Sequence, residues 1–399
     1  MANSMGLPKH WWRGNLHAHS LWSDGDEFPE VVVERYKHLG YHFLALTEHN
    51  RLARGAQWLA CTDPRLRSKR LEDYRQRFGQ DWVQAYEGRD GQKVRLKPID
   101  EYRHLFEEPA RFMLMTGEEI TIETPGRSSS FVDLWNARRA LKPIVCDSKR
   151  EGLQRVVDTA YKRSAGTPLG LHLNHPNWQW NCTAEEIAPL DRLRFVEVFT
   201  ALNSCNCHGD ASRPSTERIW DIVLSLRLAR FAKPLIYGLA TDDAHLYDDP
   251  ASTAGRAWVM VRAAYLTPEN IIGAMQAGDF YASSGVVLAD LDAHAGRIAL
   301  RIKTEPGVSY CTEFVGTSDD TDVTPEPPID VESLPPLTTR SYSQDVGRVL
   351  ARVEGAHAAY DCSGNELFVR ARIVSSKPHP LPHRPGDVEM AWTQPVIPN

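Results

Sequence analysis

NLHAHSLWSDGDEF, residues 15–28, places two histidines one residue apart and an aspartate, Asp24, five residues after the second. On a β-strand residues i and i+2 face the same side, so His17 and His19 aim two imidazoles at one point while Ala18 packs behind them. That is how a metal ion is held, and the question becomes which further groups the chain brings to the same point.

Working outward, the helical pattern PEVVVERYKHLG starts at Pro29 and ends at Gly40, in C-cap position, and the apolar run HFLALTEHN (42–50) follows it. Strand, helix, strand is the first unit. Further apolar runs are RFMLMTGEEIT (111–121), LGLHLNHP (169–176), RFVEVFTA (194–201) and LIYGLATDDAH (235–245), with helix-like segments between most of them. Strands alternating with helices predict an α/β fold with a parallel sheet, covered on both faces or closed into a barrel. Each run ends in polar residues, and in a β/α barrel those ends converge on one mouth.

Residues 55–110 read as an insertion over the mouth or side, with LEDYRQRFGQDWVQAYEG (71–88) helical, and residues 125–165 as a second polar excursion. After about residue 287 the texture changes. Alternating runs such as GRVLARVEGAHAAYD (347–361) and NELFVRARIVSS (365–376) predict antiparallel strands and a small β-sandwich. The proline-rich TPEPPIDVESLPPLTT (324–339) reads as an extended loop. The expected division is therefore 1–287 and 288–399, consistent with a chain of 399 residues.

Apolar residues make up 42 % and charged residues 25 %, as in ordinary globular proteins, and the net charge is -6. No Lys/Arg cluster is long enough to track a phosphate backbone, which disfavours polymeric nucleic acid; RLRSKR (65–70) reads as a solvated helix face. Seven cysteines at irregular positions suggest a reducing compartment rather than a disulfide framework, and Cys205 and Cys207 alone make a weak zinc motif. With no run of 18 apolar residues and no signal-peptide core, the expectation is a cytoplasmic protein without a membrane segment, secretion staying open if a leader was removed.

The polar groups at the expected strand ends are His17, His19, Asp24, His49, Glu119, His175, Asp243 and His245. All are imidazole or carboxylate, a mix that suits Mn, Fe or Zn, and the set is large enough for two or three divalent ions. Asp243 and His245 repeat the i, i+2 spacing of His17 and His19, so two such pairs bracket a barrel-length segment. Arg51, Arg54 and Arg256 are the cations expected to reach into the mouth, where guanidinium forks suit phosphate. Trp22, Trp178 and Trp180 are candidates for its aromatic wall or for core.

LHAHSLWSDG, LTEHN, TGEEIT, NHP and TDDAH together resemble the successive motifs of the PHP (polymerase and histidinol phosphatase) metal-dependent phosphoesterases, over about residues 12–285 and in motif order. The resemblance is to a subgroup with an appended C-terminal β-domain. It implies a distorted seven-stranded β/α barrel with up to three Mn, Fe or Zn ions at the strand ends. By the same resemblance His17, His19 and Asp243 hold one ion, Glu119 bridges it to a second that takes His175, and Asp24, His49 and His245 hold a third. A further family ligand falls just after the strand at 195–200, where Glu197, Asn203 and His208 are the alternatives. Glu48 departs from the family's usual Asp and is expected to point away from His49; His172 is expected to pack or hydrogen-bond. The implied activity is hydrolysis of a small-molecule phosphomono- or diester, since clustered ions make hydroxide available at neutral pH. The competing readings are hydrolysis of an amide or lactone on the same scaffold, and a catalytically silent binding protein.

Overall fold

The structure is a computed structural model and describes residues 7–66, 68–164, 166–326 and 338–398. Strand β1 (His10–Asn15) leads to helix α1 (Pro29–His38) and β2 (Phe43–His49). Pro29 opens α1, where its missing N–H costs nothing, and Gly40 at φ 78° turns the chain after it. Next come β3 (Gln57–Ala60), α2 (Ser68–Phe78), β4 (Ala85–Gly88), β5 (Gly91–Leu96) and α3 (Ile99–Phe106). Strands β6 (Met113–Glu123), β7 (Ser130–Trp135) and β8 (Ile144–Val145) precede α4 (Lys149–Arg163), β9 (Gly170–Leu173), α5 (Ala184–Ile187) and β10 (Phe195–Thr200). Then follow α6 (Thr216–Ala229), β11 (Tyr237–Thr241), β12 (Trp258–Ala263), α7 (Pro268–Gln276) and β13 (Phe280–Ser283). The remaining strands are β14 (Leu288–His294), β15 (Arg297–Ile302), β16 (Tyr310–Ser318), β17 (Arg348–Glu354), β18 (His357–Asp361), β19 (Glu366–Pro378) and β20 (Val388–Thr393).

The expected α/β class is what the chain forms. One sheet runs β11-β10-β9-β7-β6-β2-β1-β12-β13-β20-β19-β16-β17, with β8 beside β6. Within its first seven strands only β7 runs antiparallel to its neighbours, so six strands point the same way. The two ends of that seven-strand run are brought together just past β1 and β11, where Ala18 and Ala244 form an isolated parallel bridge. His19 N–H donates to the Ala244 carbonyl and Asp243 N–H to that of His17, both at 3.0 Å. Helices cover the strands: Leu153, Val156, Val157 and Ala160, the i, i+3, i+4, i+7 stripe of α4, are at most 3 % exposed and share a core with Ile120, Val132 and Leu171. Burying each of the three branched side chains is worth about 1.5–3 kcal/mol.

Several expectations are corrected. Residues 125–165 are no excursion: they supply β7 in the middle of the main sheet and the packed helix α4. Ser130 and Asp133 broke the apolar run there, and the polar outer face of α4 concealed its buried stripe. The helix read over 71–88 stops at Phe78, where Gly79 adopts φ 88°. Arg70 is not solvated: 6 % exposed, it pairs with Asp26 at 2.7 Å and Asp248 at 2.9 Å, while Arg67 of the same run lies outside the described residues. The C-terminal strands do not stand apart, since β20 hydrogen-bonds to β13 and carries β19, β16 and β17 into the main sheet. The separate sheet β14-β15-β18 packs on them, with Leu291, Ile298 and Leu300 meeting Phe314 and Val369. Most of the proline-rich stretch 324–339 lies outside the described residues.

Residues 55–110 do build their own small sheet, β3-β5-β4, whose core includes Leu21, Trp22 and Phe28 beside the opening motif. At that junction Glu30 is fully buried, its Oε1 accepting from Tyr74 Oη at 2.7 Å and Trp82 Nε1 at 3.0 Å. Burial outweighs those bonds and pushes the carboxyl from 4.5 up to about 7. The folded chain therefore keeps this proton longer than the unfolded one. Its stabilisation is complete below the unfolded value and is lost as pH rises through 7. Denaturant titrations at pH 5 and pH 8 should show Glu30→Gln gaining roughly 2–3 kcal/mol on the parent protein between the two. A constant difference between the proteins would show that the carboxyl is not perturbed.

Candidate metal centre

All eight expected ligands converge. His17 and His19 lie just beyond β1 and Asp243 and His245 just beyond β11, on the two extensions joined at the Ala18–Ala244 bridge. Both alanine side chains are fully buried behind the bridge, as the alternation requires. Asp243 adopts φ 50°, a left-handed conformation that aspartate tolerates, so its approach to the centre comes from a turn in the chain as well as from strand alternation. His49 ends β2 directly beside Glu119 of β6, and the same register sends Glu48 and Glu118 to the opposite face. Glu48 indeed points away, accepting from Ser20 N–H at 3.2 Å and Ser23 Oγ at 2.5 Å.

The approaches are short and mutual. His17 Nε2 lies 3.0 Å from Asp243 Oδ1 and 3.6 Å from Glu119 Oε1; His19 Nε2 lies 3.3 Å from both Asp243 Oδ1 and Glu119 Oε2. His49 Nδ1 meets Glu119 Oε2 at 2.9 Å, and His175 Nε2 meets Glu119 Oε1 at 3.5 Å. Asp24 is reached by His49 at 3.3 Å and His245 at 3.4 Å. Donor atoms of His19, Asp24, His49 and His245 lie within 4.8 Å of one another, as do those of His17, His19 and Glu119, and those of His17, His175 and Asp243. Each group could hold an ion.

A buried layer behind these residues went unread in the sequence. Asp133 of β7 sits opposite Glu119, and Asn174 joins the two, donating to Glu119 Oε1 at 2.8 Å and Asp133 Oδ1 at 2.9 Å. Glu197 Oε1 approaches His17 Nδ1 at 2.8 Å, and its carboxylate also accepts from His175 N–H, Thr200 and Thr241. His172 hydrogen-bonds, linking Trp135 Nε1 at 2.8 Å to Glu197 at 3.1 Å. Of the three alternatives for the further ligand, Glu197 stands behind His17, Asn203 accepts from Arg256, and His208 pairs with Asp387. Cys205 donates its thiol to Asp243 Oδ2 at 3.8 Å. A lone acid inside a buried strand, as in FVDLW and FVEVFT, was the available signal for Asp133 and Glu197.

The electrostatics show what this set demands. Burial pulls the His17 imidazole down, but Asp133, Asp243, Glu197 and Glu119 outweigh it and raise it well above its ordinary value. Against the same burial, Glu119 and Asp24 raise His49 to about 11, and Asp243 and Asp24 raise His245 to about 9. Burial raises the carboxyls of Glu119 and Asp243, yet the imidazoles hold both well below the carboxylate range. Where carboxylates call for positive charge, protons on histidines stand in for a cation. Even so, among the described residues His17 Nε2, His19 Nε2, Glu119 Oε2 and Asp243 Oδ1 are buried in ion-pair contacts of 3.0–3.3 Å that lack hydrogen-bond geometry. Four donor atoms left open toward one another fit a metal.

The rim is at Asp24, His49 and His245, whose side chains are 51, 28 and 18 % exposed. Arg51 follows His49 and Asn50 and is exposed, its side chain without a partner among the described residues. Arg54 turns aside to the Arg138 carbonyl at 2.9 Å. Arg256 does not enter the mouth: 1 % exposed, it spends its guanidinium on the carbonyls of Ala201, Ala251, Leu381 and Pro382 and on Asn203. Trp22 is core, donating to the Lys97 carbonyl, whereas Trp178 lies 5.7 Å from the His175 ring and 5.4 Å from Phe131, which the sequence had not offered. Trp180 lies under Arg213. All seven cysteines are unpaired thiols, and among the described residues no helix is long and apolar enough to cross a membrane.

The fold and these clusters are those of an α/β protein able to bind metal. The chain is similar in structure to a two-domain protein from Bacteroides vulgatus described as containing a predicted PHP-like metal-dependent phosphoesterase, with 14 % identity, 99 % of each chain covered and a TM-score of 0.41. It is also similar to a candidate metal-dependent phosphoesterase from Bifidobacterium adolescentis, with 12 % identity, 60 % of this chain and 90 % of the other covered, and a TM-score of 0.33. No family model and no curated protein matches the sequence.

Proposed function

We propose that the chain is a metal-dependent hydrolase of small-molecule phosphate esters, mono- or diester, built around two or three Mn, Fe or Zn ions. The observation that carries this reading is the convergence of His17, His19, Glu119 and Asp243, whose buried donor atoms face one another without hydrogen-bond geometry. In this reading His17, His19 and Asp243 would hold one ion, Glu119 would serve it and a second that takes His175, and Asp24, His49 and His245 would hold a third at the exposed rim. Glu197 and Asn174 fix the orientation of His17 and Glu119, as groups behind metal ligands do. Clustered divalent ions supply Lewis acidity and lower the pKa of water from about 15.7 towards 7. Arg51 meets a phosphoryl oxygen at the rim, and Phe131 and Trp178 bound the space on the side of His175. Arg256 acts as a positioning residue for the wall. The described residues up to 287 form a distorted seven-stranded barrel closed at Ala18–Ala244, and the described residues from 288 on a β-domain seated against it through β13 and β20.

Release of phosphate or alcohol from a panel of phosphomono- and diesters, with Mn-, Fe- or Zn-loaded protein and His49→Ala as the blank, tests the proposal. Turnover should need metal and disappear in the variant. Metal bound without turnover on any ester would overturn the phosphoester reading in favour of an amide or lactone.

A further inference from the structure

A second cluster of metal-binding side chains lies outside the centre. His208 stands on the loop after β10; His383 and Asp387 stand on the segment between β19 and β20. One donor atom from each lies within 4.8 Å of the others. His208 Nε2 is 3.0 Å from Asp387 Oδ2, and the His208 and His383 rings are 5.3 Å apart, edge to face.

The independent observation is His383 itself. It is 8 % exposed, and neither ring nitrogen has a hydrogen-bond partner among the described residues. A buried polar group left unpartnered costs about 1–3 kcal/mol, which any apolar residue packed against Phe199 would avoid. Burial, His208 and Arg256 push the imidazole down to about 4, so it stands neutral with a lone pair to give. Arg256 and Arg384 bring positive charge nearby, but their guanidiniums are turned to the Leu381, Pro382 and Gly209 carbonyls, and Asp387 opposes them.

We propose that His208, His383 and Asp387 form a separate, mononuclear site for a divalent ion of the zinc class. Two imidazoles and one carboxylate suit such an ion, with donors about 2.0–2.2 Å from it, better than a hard, oxygen-seeking one. His208 and Asp387, 32 and 23 % exposed, leave one edge of the cluster open to solvent, from which water could complete the coordination. The ion would fasten the segment before β20 to the loop that carries Cys205 and Asn203, and so to the wall of the centre; Arg256 already makes the same link, donating to the Pro382 carbonyl on one side and to the Ala201 carbonyl and Asn203 Oδ1 on the other.

The test counts ions and does not depend on hydrolysis. The 399-residue chain is stripped with chelator and titrated with Co2+, following bound metal and visible absorption, in five forms: the parent, His383→Gln, Asp387→Asn, a His49→Ala/Glu119→Gln/Asp243→Asn form that takes a ligand from each of the three positions of the centre, and that form with His383→Gln added. The centre-disabled form should retain one ion per chain with a four-coordinate spectrum, and adding His383→Gln should remove it. Asp387→Asn, a near-isosteric change at the exposed edge, should lose the same single ion with unchanged circular dichroism, which covers the case in which replacing buried His383 impairs folding. If the parent and Asp387→Asn bind equal numbers of ions with the same spectrum, the cluster holds water or nothing, and the proposal fails. Loss of metal at the centre alone would leave the cluster's single ion in place, so the two readings fail separately.

Discussion

Glu119→Gln is expected to lower metal content by at least one ion per chain and kcat by about 10³-fold or more. Glu119 is the residue on which the cluster depends most widely: its two oxygens lie within 3.6 Å of His17, His19, His49 and His175. Glutamine keeps the volume and can still accept the Asn174 amide through Oε1, so the fold should survive. What disappears is the charge. If the ions stabilise the transition state by several kcal/mol, losing about 4 of them is about a thousandfold in rate. Asp133→Asn is the comparison that gives the number meaning. Asp133 sits directly opposite Glu119, but burial and the neighbouring Glu119 and Glu197 outweigh His17 and raise its carboxyl well above the ordinary range. Asp133 stands behind the ligands, tied to them through Asn174, so its loss should cost far less, within the about 10–100-fold typical of groups behind metal ligands. Metal analysis and steady-state rates on the pair check this; equal losses from both variants would show that the centre does not distinguish the two acids and that Glu119 is no bridge.

That contrast also marks where the sequence stops being legible. His17 with His19, and Asp243 with His245, could be read because two residues of separation is local information. Their convergence on Glu119 and His49 followed from apolar runs that each ended in polar residues. Asp133 was lost because β7 is the one antiparallel strand among the seven, entered from a polar turn and containing two polar residues of its own, so the rhythm of strand and helix passed over it. Arg256 misled for a different reason. Its neighbour Asp242 anchors the local turn, accepting from the N–H groups of residues 255 to 257, but the carbonyls that consume its guanidinium include those of Leu381 and Pro382, more than a hundred residues away. Local spacing reveals which groups could act together; which cations are already spent depends on long-range packing.

The largest effect on stability should come from Arg370→Met. Arg370 of β19 is 1 % exposed; its Nε reaches Asp221 at 2.7 Å and its Nη2 reaches Glu217 at 2.8 Å, both on α6, while the guanidinium lies 4.8 Å from the Trp220 ring. Methionine fills much of the space but leaves Asp221 enclosed without its counter-ion, while Glu217 keeps Arg372 at 3.2 Å. Breaking a buried pair in this way costs about 3–5 kcal/mol, most of it the burden of the stranded charge rather than the net worth of the pair. Neutralising the partners should therefore repair much of the damage, so Arg370→Met/Glu217→Gln/Asp221→Leu is expected to be more stable than the single variant. The network ties a helix of the metal-binding part to a strand of the C-terminal sheet across 149 residues, which makes the shape of the transition informative as well as its midpoint. In urea the single variant should unfold at lower denaturant, and if α6 and β19 are held together chiefly by this contact, the C-terminal strands should come apart first and split the transition in two. A loss below about 1 kcal/mol would mean that water reaches Asp221 and Glu217 once the arginine is gone, and that packing of β19 on α6, not charge, joins the two parts.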